Sequence, residues 1–365
     1  MPQPPGRTPY RSALRLPGAE TPLSRGQAPG TPHASRSQRS AREGGNEGVS
    51  EDTMEAARAP GAIAVANAPV SYGAFEITVG HDPNVPAGVS VLDQVAEAGY
   101  AGIDLGPAGY LGTGERLGEL LAERGLGLAG AYLELPYADA DALAEALPSL
   151  DELLSTFDTV RAYLPGPPPR PTLADAGSQE RRSLPFRSAA ERSLGLDRDG
   201  WRRFASGLAR VVGRCRDRGY EPTFHPETGT YVEAPWEIEE VLDRSDIGLC
   251  LETGHMMMGG GDPVALLRDW GGRVNHVHLK DGVRTVMAGI VADGAPATDI
   301  WSREAFCELG RGDLDVDAIL DGLRGISFGG WLVVEQDILP RSAQRFARAA
   351  EEQRHNRAFL SQRGI

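Results

Sequence analysis

The chain has 365 residues and a formal net charge of −14, and 41% of its residues are hydrophobic. This length suits one large domain or two ordinary ones, with enough apolar residues for a sizeable core. No apolar run reaches the roughly 18–20 residues of a membrane-spanning helix. The acidic balance argues against a nucleic-acid partner, because phosphate binding requires clustered lysine and arginine.

The first 60 residues differ from the rest of the chain. Residues 1–42 contain seven arginines and one acid, Glu20, which leaves a net charge near −20 on the remainder. They are rich in proline and glycine, lack apolar periodicity, and have no secretory h-region, so we predict a disordered extension over 1–60. The alternative is that Met54 is the true initiator. The folded domain is predicted to occupy 61–365.

From residue 62 onward, short apolar runs alternate with amphipathic stretches. The predicted strands are 63–70, 102–105, 127–133, 172–174, 223–225, 247–251, 274–279 and 331–335. The predicted helices are 89–99, 113–124, 138–156, 200–218, 234–244, 263–270, 314–324 and 341–361. Eight of each is the count of a (β/α)8 TIM barrel, an α/β fold, with an open doubly wound sheet as the alternative.

The stretch 161–199 is unusual because it holds a cluster of prolines at 165–171 followed by four arginines, Arg181, Arg182, Arg187 and Arg192. It reads as too polar and broken for a core element. We therefore expect either a solvated surface loop or a lid over the barrel mouth, with an arginine facing the substrate.

The three cysteines are Cys215, Cys250 and Cys307, which are odd in number and far apart in sequence. This spacing predicts neither a disulfide framework nor a thiolate zinc site, and it favours a reducing, cytoplasmic location.

Four of the seven histidines lie within 225–278, each at or just past the end of a predicted strand. In a β/α barrel, active sites are built at the carboxyl ends of the strands. Acids follow several of the same strands, where burial without a partner would be costly. Carboxylates and an imidazole that converge from several strands can hold a divalent cation. The candidate metal ligands are Glu227, Glu252, His278 and Glu335.

Two points of this metal site stay open in the sequence. His225 is an alternative to Glu227, since the register of a strand end is uncertain by about two residues. His255 could either support a ligand or bind substrate. With no cysteine expected nearby, the ligands favour Mn²⁺, Mg²⁺ or Co²⁺ over a structural zinc ion.

The sequence resembles the xylose-isomerase-like β/α barrel superfamily of sugar isomerases and epimerases, and within it the inosose dehydratase branch of inositol catabolism. The resemblance covers roughly 62–340 and is carried by 67–73 (NAPVSYG), 251–255 (LETGH), 276–281 (HVHLKD), 308–312 (ELGRG) and 330–337 (GWLVVEQD). It implies a divalent metal on Glu227 (or His225), Glu252, His278 and Glu335, and substrate contacts from His225, His255 and Asn67. This chain departs from the family at Glu252, where an aspartate is usual; the extra methylene moves the carboxylate by about 1.5 Å.

The predicted function is that of a divalent-metal-dependent sugar or polyol isomerase or epimerase that abstracts a proton next to a carbonyl. Glu227 and Glu335 would act as base and acid, and Lys280, the only lysine of the chain, as an electrophile or proton donor. If a hydroxyl leaves instead, the enzyme is an inosose dehydratase-type lyase. For Lys280 the plain alternative is a surface salt bridge with Asp281.

Two other classes of function fit the sequence less well. A metal-dependent phosphodiesterase, like the repair endonucleases that share this barrel, would need a basic DNA-binding face, which a charge near −20 opposes. A sugar sensor that has lost catalysis is suggested only by Glu252. The expected partner is a small sugar or cyclic polyol ketone, with no nucleic acid and no membrane, and the sequence leaves monomer or homo-oligomer open.

Overall fold

A computed structural model describes residues 61–365, and the predicted extension with Met54 lies outside the described residues. Eight strands form the centre of this part of the chain, and every neighbouring pair is parallel. The strands are β1 (Ile63–Asn67), β2 (Gly102–Ile103), β3 (Gly127–Leu128 and Gly130–Leu135), β4 (Arg170–Asp175), β5 (Thr223–Phe224), β6 (Gly248–Glu252), β7 (Val274–Leu279) and β8 (Gly330–Val334).

The ring of strands closes at β3. Its first segment pairs with β2 and its second segment pairs with β4. Ala129 lies between the segments: its N–H donates to the carbonyl of Ile103 at 2.9 Å, and its own carbonyl accepts from Arg170 N at 3.1 Å. The predicted TIM barrel is therefore confirmed, and the open sheet is excluded.

Helices surround the barrel, and each of the eight predicted helices is present. The helices are α1 (Gly88–Glu97), α2 (Gly114–Ala122), α3 (Ala140–Val160), α4 (Gln179–Ser183), α5 (Arg198–Asp217), α6 (Pro235–Arg244), α7 (Thr253–Met258), α8 (Pro263–Trp270), α9 (Arg284–Ala292), α10 (Asp299–Ser302), α11 (Val316–Gly325) and α12 (Ala343–Ser361). The short helices α4, α7, α9 and α10 were not predicted. Within 61–365, none of these helices has the length and apolar character needed to cross a bilayer.

Helix α5 shows how the helical layer is attached. Its buried residues, including Trp201, Phe204, Leu208 and Val211, recur at three- and four-residue spacing and form one apolar face. The Phe204 ring lies 6.1 Å from that of Phe224 on β5. Burial of each large apolar side chain stabilises the fold by about 1.5–3 kcal/mol.

The amino-terminal end of the barrel is filled by Trp331 of β8, which is 1% exposed. A Cβ at Gly102 or Gly127 would lie 2.6 or 2.7 Å from its ring, so only glycine leaves room for it. The indole N–H donates to the carbonyl of Pro167 at 3.1 Å. Because this end is packed, the polar side chains of the interior gather at the opposite, carboxyl end.

The arginine-rich stretch 161–199 is more ordered than its composition suggests. It contains β4, and its Arg181 is 1% exposed, with Nη1 lying 3.0 Å from Oε1 of the buried Glu237. The expectation that this stretch is too polar for a core element is wrong here, because a carboxylate partner makes burial of the guanidinium tolerable. Arg182 is exposed and donates to Glu134 at 3.0 Å.

Candidate active site

Strand register brings the predicted ligands together at the carboxyl end of the barrel. Pairing of β6 with β7 places Glu252 opposite His278, and pairing of β7 with β8 places Val333 opposite the same histidine. Glu335 lies two residues beyond Val333, so it projects from the same face of the strand. All three polar side chains are buried.

The centre of the site is His278. Its Nδ1 lies 3.5 Å from Oε2 of Glu252 and 3.5 Å from Oε2 of Glu335. The ligand atoms of these three residues all lie within 4.8 Å of one another. Oε2 of Glu252 and both nitrogens of His278 are buried without a hydrogen-bond partner. Such atoms are costly to leave unsatisfied, and together they form a donor set that fits a hard divalent cation.

Distances within the site distinguish His225 from Glu227, the two alternatives for a fourth ligand. Nε2 of His225 lies 3.6 Å from Oε2 of Glu252, whereas its Nδ1 lies 3.7 Å from Oε2 of Glu227. The His225 ring is thus between the two carboxylates. His225 is therefore the direct neighbour of the Glu252–His278–Glu335 cluster, and Glu227 lies on the far side of the His225 ring.

Glu252 has a longer side chain than the aspartate that is usual at this position, and its two carboxylate oxygens have different partners. Oε1 accepts from the backbone N–H groups of Gly254 and His255 at 3.0 and 3.2 Å and so caps α7. Oε2 remains directed to the cluster. Burial alone would raise its pKa, but the charge of Lys280 and the nearby imidazoles of His225 and His278, 3.6 and 3.5 Å from Oε2, hold the pKa well below its ordinary value.

Lys280 is an internal residue of the site. It is 2% exposed, and its Nζ lies 2.9 Å from Oε2 of Glu335 and 2.8 Å from Oδ1 of Asp337. Burial opposes the charge, yet the surrounding Asp337, Glu252 and Glu335 raise the pKa of Lys280 well above its ordinary value. The side chain is therefore an ammonium group enclosed by carboxylates.

The alternative pairing of Lys280 with Asp281 is not formed. The Asp281 carboxylate instead accepts from four backbone N–H groups at 2.8–3.0 Å, those of Gly282, Gly310, Gly312 and Leu314. Asp281 thus holds the 308–312 stretch against the end of β7.

His255 lies between Lys280 and Glu227 and contacts both. Its Nε2 lies 3.3 Å from Nζ of Lys280, and its Nδ1 lies 2.7 Å from Oγ1 of Thr228 and 3.2 Å from Oε1 of Glu227. Burial, together with the charge of Lys280, lowers the pKa of His255 well below its ordinary value, so the ring is neutral. Since an ammonium can only donate, Nε2 accepts and Nδ1 carries the proton.

Sequence reasoning missed Asp104 and misjudged Cys250. Oδ2 of Asp104 lies 3.5 Å from Nε2 of His278, and burial raises the pKa of Asp104 to about 7. The expectation that no cysteine lies near the site is wrong, because the ligand atoms of Cys250, His225 and His278 lie within 4.8 Å of one another. The sequence pattern could have identified both residues, because Asp104 follows a short apolar run and Cys250 alternates with Glu252 on β6.

Asn67 is the predicted site residue that the structure does not bring to the cluster. It is the last residue of β1, and its Nδ2 donates to Oε1 of Gln353 on α12 at 2.9 Å. Its neighbours Ala66 and Ala68 pack with Trp331 instead. Alternation along the strand therefore turns Asn67 toward the helical layer.

A sequence profile described as xylose isomerase-like TIM barrel matches residues 92–361. The chain belongs to this family. Among its relatives, an inosose dehydratase of Geobacillus kaustophilus is 27% identical over 268 residues, which cover 72% of this chain and 84% of that protein. The rhizopine catabolism protein MocC of Rhizobium meliloti is 29% identical over 257 residues, covering 69% and 75% of the two chains.

Two solved structures illustrate the shared fold. An L-ribulose 3-epimerase superposes with a TM-score of 0.55 at 18% identity, covering 81% of this chain and 93% of that one. The IolI protein, whose structure holds a zinc atom, superposes with a TM-score of 0.57 at 14% identity, covering 82% and 96%.

Proposed function

We propose that this protein is a divalent-metal-dependent enzyme that removes a proton next to the ketone of a cyclic polyol and then eliminates a hydroxyl group, as an inosose dehydratase does. The observation that carries the proposal is the buried ammonium of Lys280, 2.9 Å from Glu335 and beside the Glu252–His278–Glu335 cluster. Relatives named inosose dehydratase, which match over most of their length, support the substrate class.

Glu252, His278, Glu335 and His225 would hold the cation, because their donor atoms are buried and several lack partners. When bound there, Mn²⁺, Co²⁺ or Mg²⁺ would supply Lewis-acid stabilisation of the negative charge that develops on the substrate oxygens. The zinc atom in the IolI structure supports a divalent ion in general and leaves its identity to experiment.

Glu227 is assigned as the base. It lies outside the group of mutually close ligand atoms, and its side chain is 19% exposed, more than those of His225, Glu252, His278 and Glu335. Its Oε1 lies 3.2 Å from the proton-bearing Nδ1 of His255. Burial raises the pKa of Glu227 well above its ordinary value, which makes its carboxylate a stronger base, and His255 stabilises the orientation in which it takes a proton from a bound substrate.

Lys280 is assigned as the acid. Elimination requires a proton for the departing hydroxyl oxygen, and the Lys280 ammonium is a donor that the surrounding carboxylates keep charged. Glu335 and Asp337 hold the ammonium in place, and arginine could not serve because it does not release its proton.

Isomerisation or epimerisation is the second candidate, since it begins with the same proton abstraction. It is favoured by the proximity of Glu335 to the cluster, because a second carboxylate could return the proton to carbon. The two outcomes differ in whether the substrate loses a hydroxyl group.

The deciding experiment incubates the protein with inososes, ketoses and hydroxypyruvate in D₂O with Mn²⁺, Co²⁺ or Mg²⁺, removes the metal, and records proton NMR spectra. Loss of a hydroxyl group with formation of an enone or dione supports the dehydratase. Deuterium incorporation with every hydroxyl retained supports the epimerase or isomerase. An unchanged panel with stoichiometrically bound metal would overturn both.

Metal dependence is tested separately. Chelation should abolish turnover, and added Mn²⁺ or Co²⁺ should restore it. Glu335→Gln should lose both metal binding and turnover, whereas Glu351→Gln, on the exposed surface of α12, should retain both. Full activity in excess chelator would refute the assignment of the metal.

A further inference from the structure

A second set of ligand atoms lies beside the first and shares His278 with it. One set comprises Glu252, His278 and Glu335, and the other comprises His225, Cys250 and His278, and in each the ligand atoms lie within 4.8 Å of one another. We call these the outer and the inner sets. The outer set is built mainly from oxygen atoms, whereas the inner set offers one sulfur and two nitrogens.

Strand geometry explains why Cys250 reaches this position. It precedes Glu252 by two residues on β6, so both side chains project into the barrel. Pairing with β7 places Cys250 opposite His276 and Glu252 opposite His278, one step nearer the mouth. The thiol is fully buried.

The imidazoles beside this thiol have unused donor atoms. Nδ1 of His225 and both nitrogens of His278 are buried and have no hydrogen-bond partner among the described residues. The two rings are 3% and 2% exposed, and their centroids are 5.0 Å apart. Among residues 61–365, Cys215 and Cys307 belong to no such group. Cys250 is therefore the cysteine, among the three, that lies beside unpartnered imidazoles and can share a cation with them.

We propose that the inner set is a binding site for a soft divalent cation such as Cd²⁺ or Zn²⁺, held by Cys250, His225 and His278. Thiolate and imidazole ligands select such ions, whereas carboxylates suit Mn²⁺ and Mg²⁺. Binding forms a bond from the cation to the sulfur and releases the thiol proton to the buffer, with no change of oxidation state. Oε2 of Glu252 lies 3.6 Å from Nε2 of His225 and can provide a fourth ligand.

Occupation of the two sets is mutually exclusive, because both ions would use His278, and the proposed hard-ion site also uses His225 and Glu252. A four-coordinate ion held by Cys250, His225, His278 and Glu252 has no open position for a substrate. Soft cations should therefore inhibit the enzyme by displacing the hard ion. This consequence rests on the proposed function, whereas the binding site itself does not.

The test titrates the metal-free full-length protein with Cd²⁺ and follows the ultraviolet thiolate-to-cadmium charge-transfer band. Wild-type protein should reach saturation at one equivalent, and Cys215→Ser and Cys307→Ser should behave like it. Cys250→Ser should lose the band, and its ratio of Cd²⁺ to Mn²⁺ affinity should fall by about a hundredfold. A band that persists in Cys250→Ser, or that disappears in Cys307→Ser, would overturn the assignment.

A second measurement uses the wild-type protein alone and so does not depend on whether a variant folds. ¹¹³Cd NMR of the wild-type protein should give a single resonance in the range of one sulfur with nitrogen ligands. A resonance in the range of oxygen and nitrogen ligands alone would show that cadmium occupies the outer set and would refute the inner site. Neither result depends on turnover, so failure of the proposed function would leave this test intact.

Discussion

Oδ2 of Asp104 lies 3.5 Å from Nε2 of His278, on the opposite edge of the ring from the Nδ1 that faces Glu252 and Glu335. A carboxylate in this place can accept the Nε2 proton and so keep Nδ1 available to a cation, and partners of this kind typically contribute 10- to 100-fold to metal affinity.

We therefore expect Asp104→Asn to weaken divalent-metal binding by about 10- to 100-fold, measured by competition with a fluorescent chelator. Asp175→Asn is the matched control. Its carboxylate is also buried at the end of a barrel strand, but it accepts from the backbone of Gly177 and Tyr231. Equal losses of affinity in the two variants would argue against a specific role for Asp104.

Lys280→Arg keeps the positive charge but should lower kcat by at least about a hundredfold, because the site needs a donor that can release its proton. The buried space between Glu335, Asp337 and Phe306 is also filled by a compact ammonium. Steady-state kinetics on the substrate found by NMR provide the measurement, with metal affinity as a control on the site's integrity. Wild-type turnover in the variant would remove Lys280 from the mechanism.

The pH profile provides an independent check on Lys280. Its raised pKa means that the active, protonated form is lost only when the pH rises above the ordinary lysine value of about 10.4. We expect no alkaline inflection from this residue below that pH. An inflection near pH 8 that Lys280→Arg abolishes would contradict the assignment of a fully protonated acid.

Glu233 should make the stability of the protein depend on pH. Burial raises its pKa from 4.5 to about 7, opposed in part by Arg181. The folded state therefore binds this proton more tightly than the unfolded chain. The resulting stabilisation is complete below pH 4.5 and is lost as the pH rises toward 7, by an amount on the order of 3 kcal/mol.

Glu233→Gln has no proton to lose, so its free energy of unfolding should fall less than that of the wild type between pH 5 and pH 8. Urea unfolding at several pH values measures this difference. Glu351→Gln, on the surface, should follow the wild-type curve. Parallel curves for Glu233→Gln and wild type would show that Glu233 does not titrate in this range.

Two glycines should respond in opposite directions to alanine. At Gly312 a Cβ would lie 2.2 Å from Oδ1 of Asp281, so Gly312→Ala should cost about 1–3 kcal/mol of unfolding free energy. At Gly213, inside α5, a Cβ would meet no heavy atom within 4 Å, so Gly213→Ala should gain about 0.5–1 kcal/mol. Chemical denaturation measures both, and destabilisation by Gly213→Ala would contradict the packing of α5.

The sequence by itself was sufficient for the barrel, because hydrophobic alternation and helical periodicity are local properties. It also identified Glu252, His278, Lys280 and Glu335 as neighbours, since parallel strands bring their carboxyl ends to one side of the sheet. Family resemblance then restricted the chemistry to proton abstraction from a sugar or polyol.

Only the tertiary structure decided the arrangement around His278. Whether His225 or Glu227 lies beside Glu252 depends on distances across strands, which strand boundaries uncertain by about two residues cannot resolve. Asn67 was predicted to contact the substrate because it belongs to the 67–73 motif, but the pleat of β1 turns its side chain toward α12. Cys250 lies on the strand paired with β7, whereas Asp104, at the end of β2, approaches His278 across the barrel interior because the sheet curls into a ring. Sequence thus determines which side chains are available, and closure of the barrel determines which of them meet.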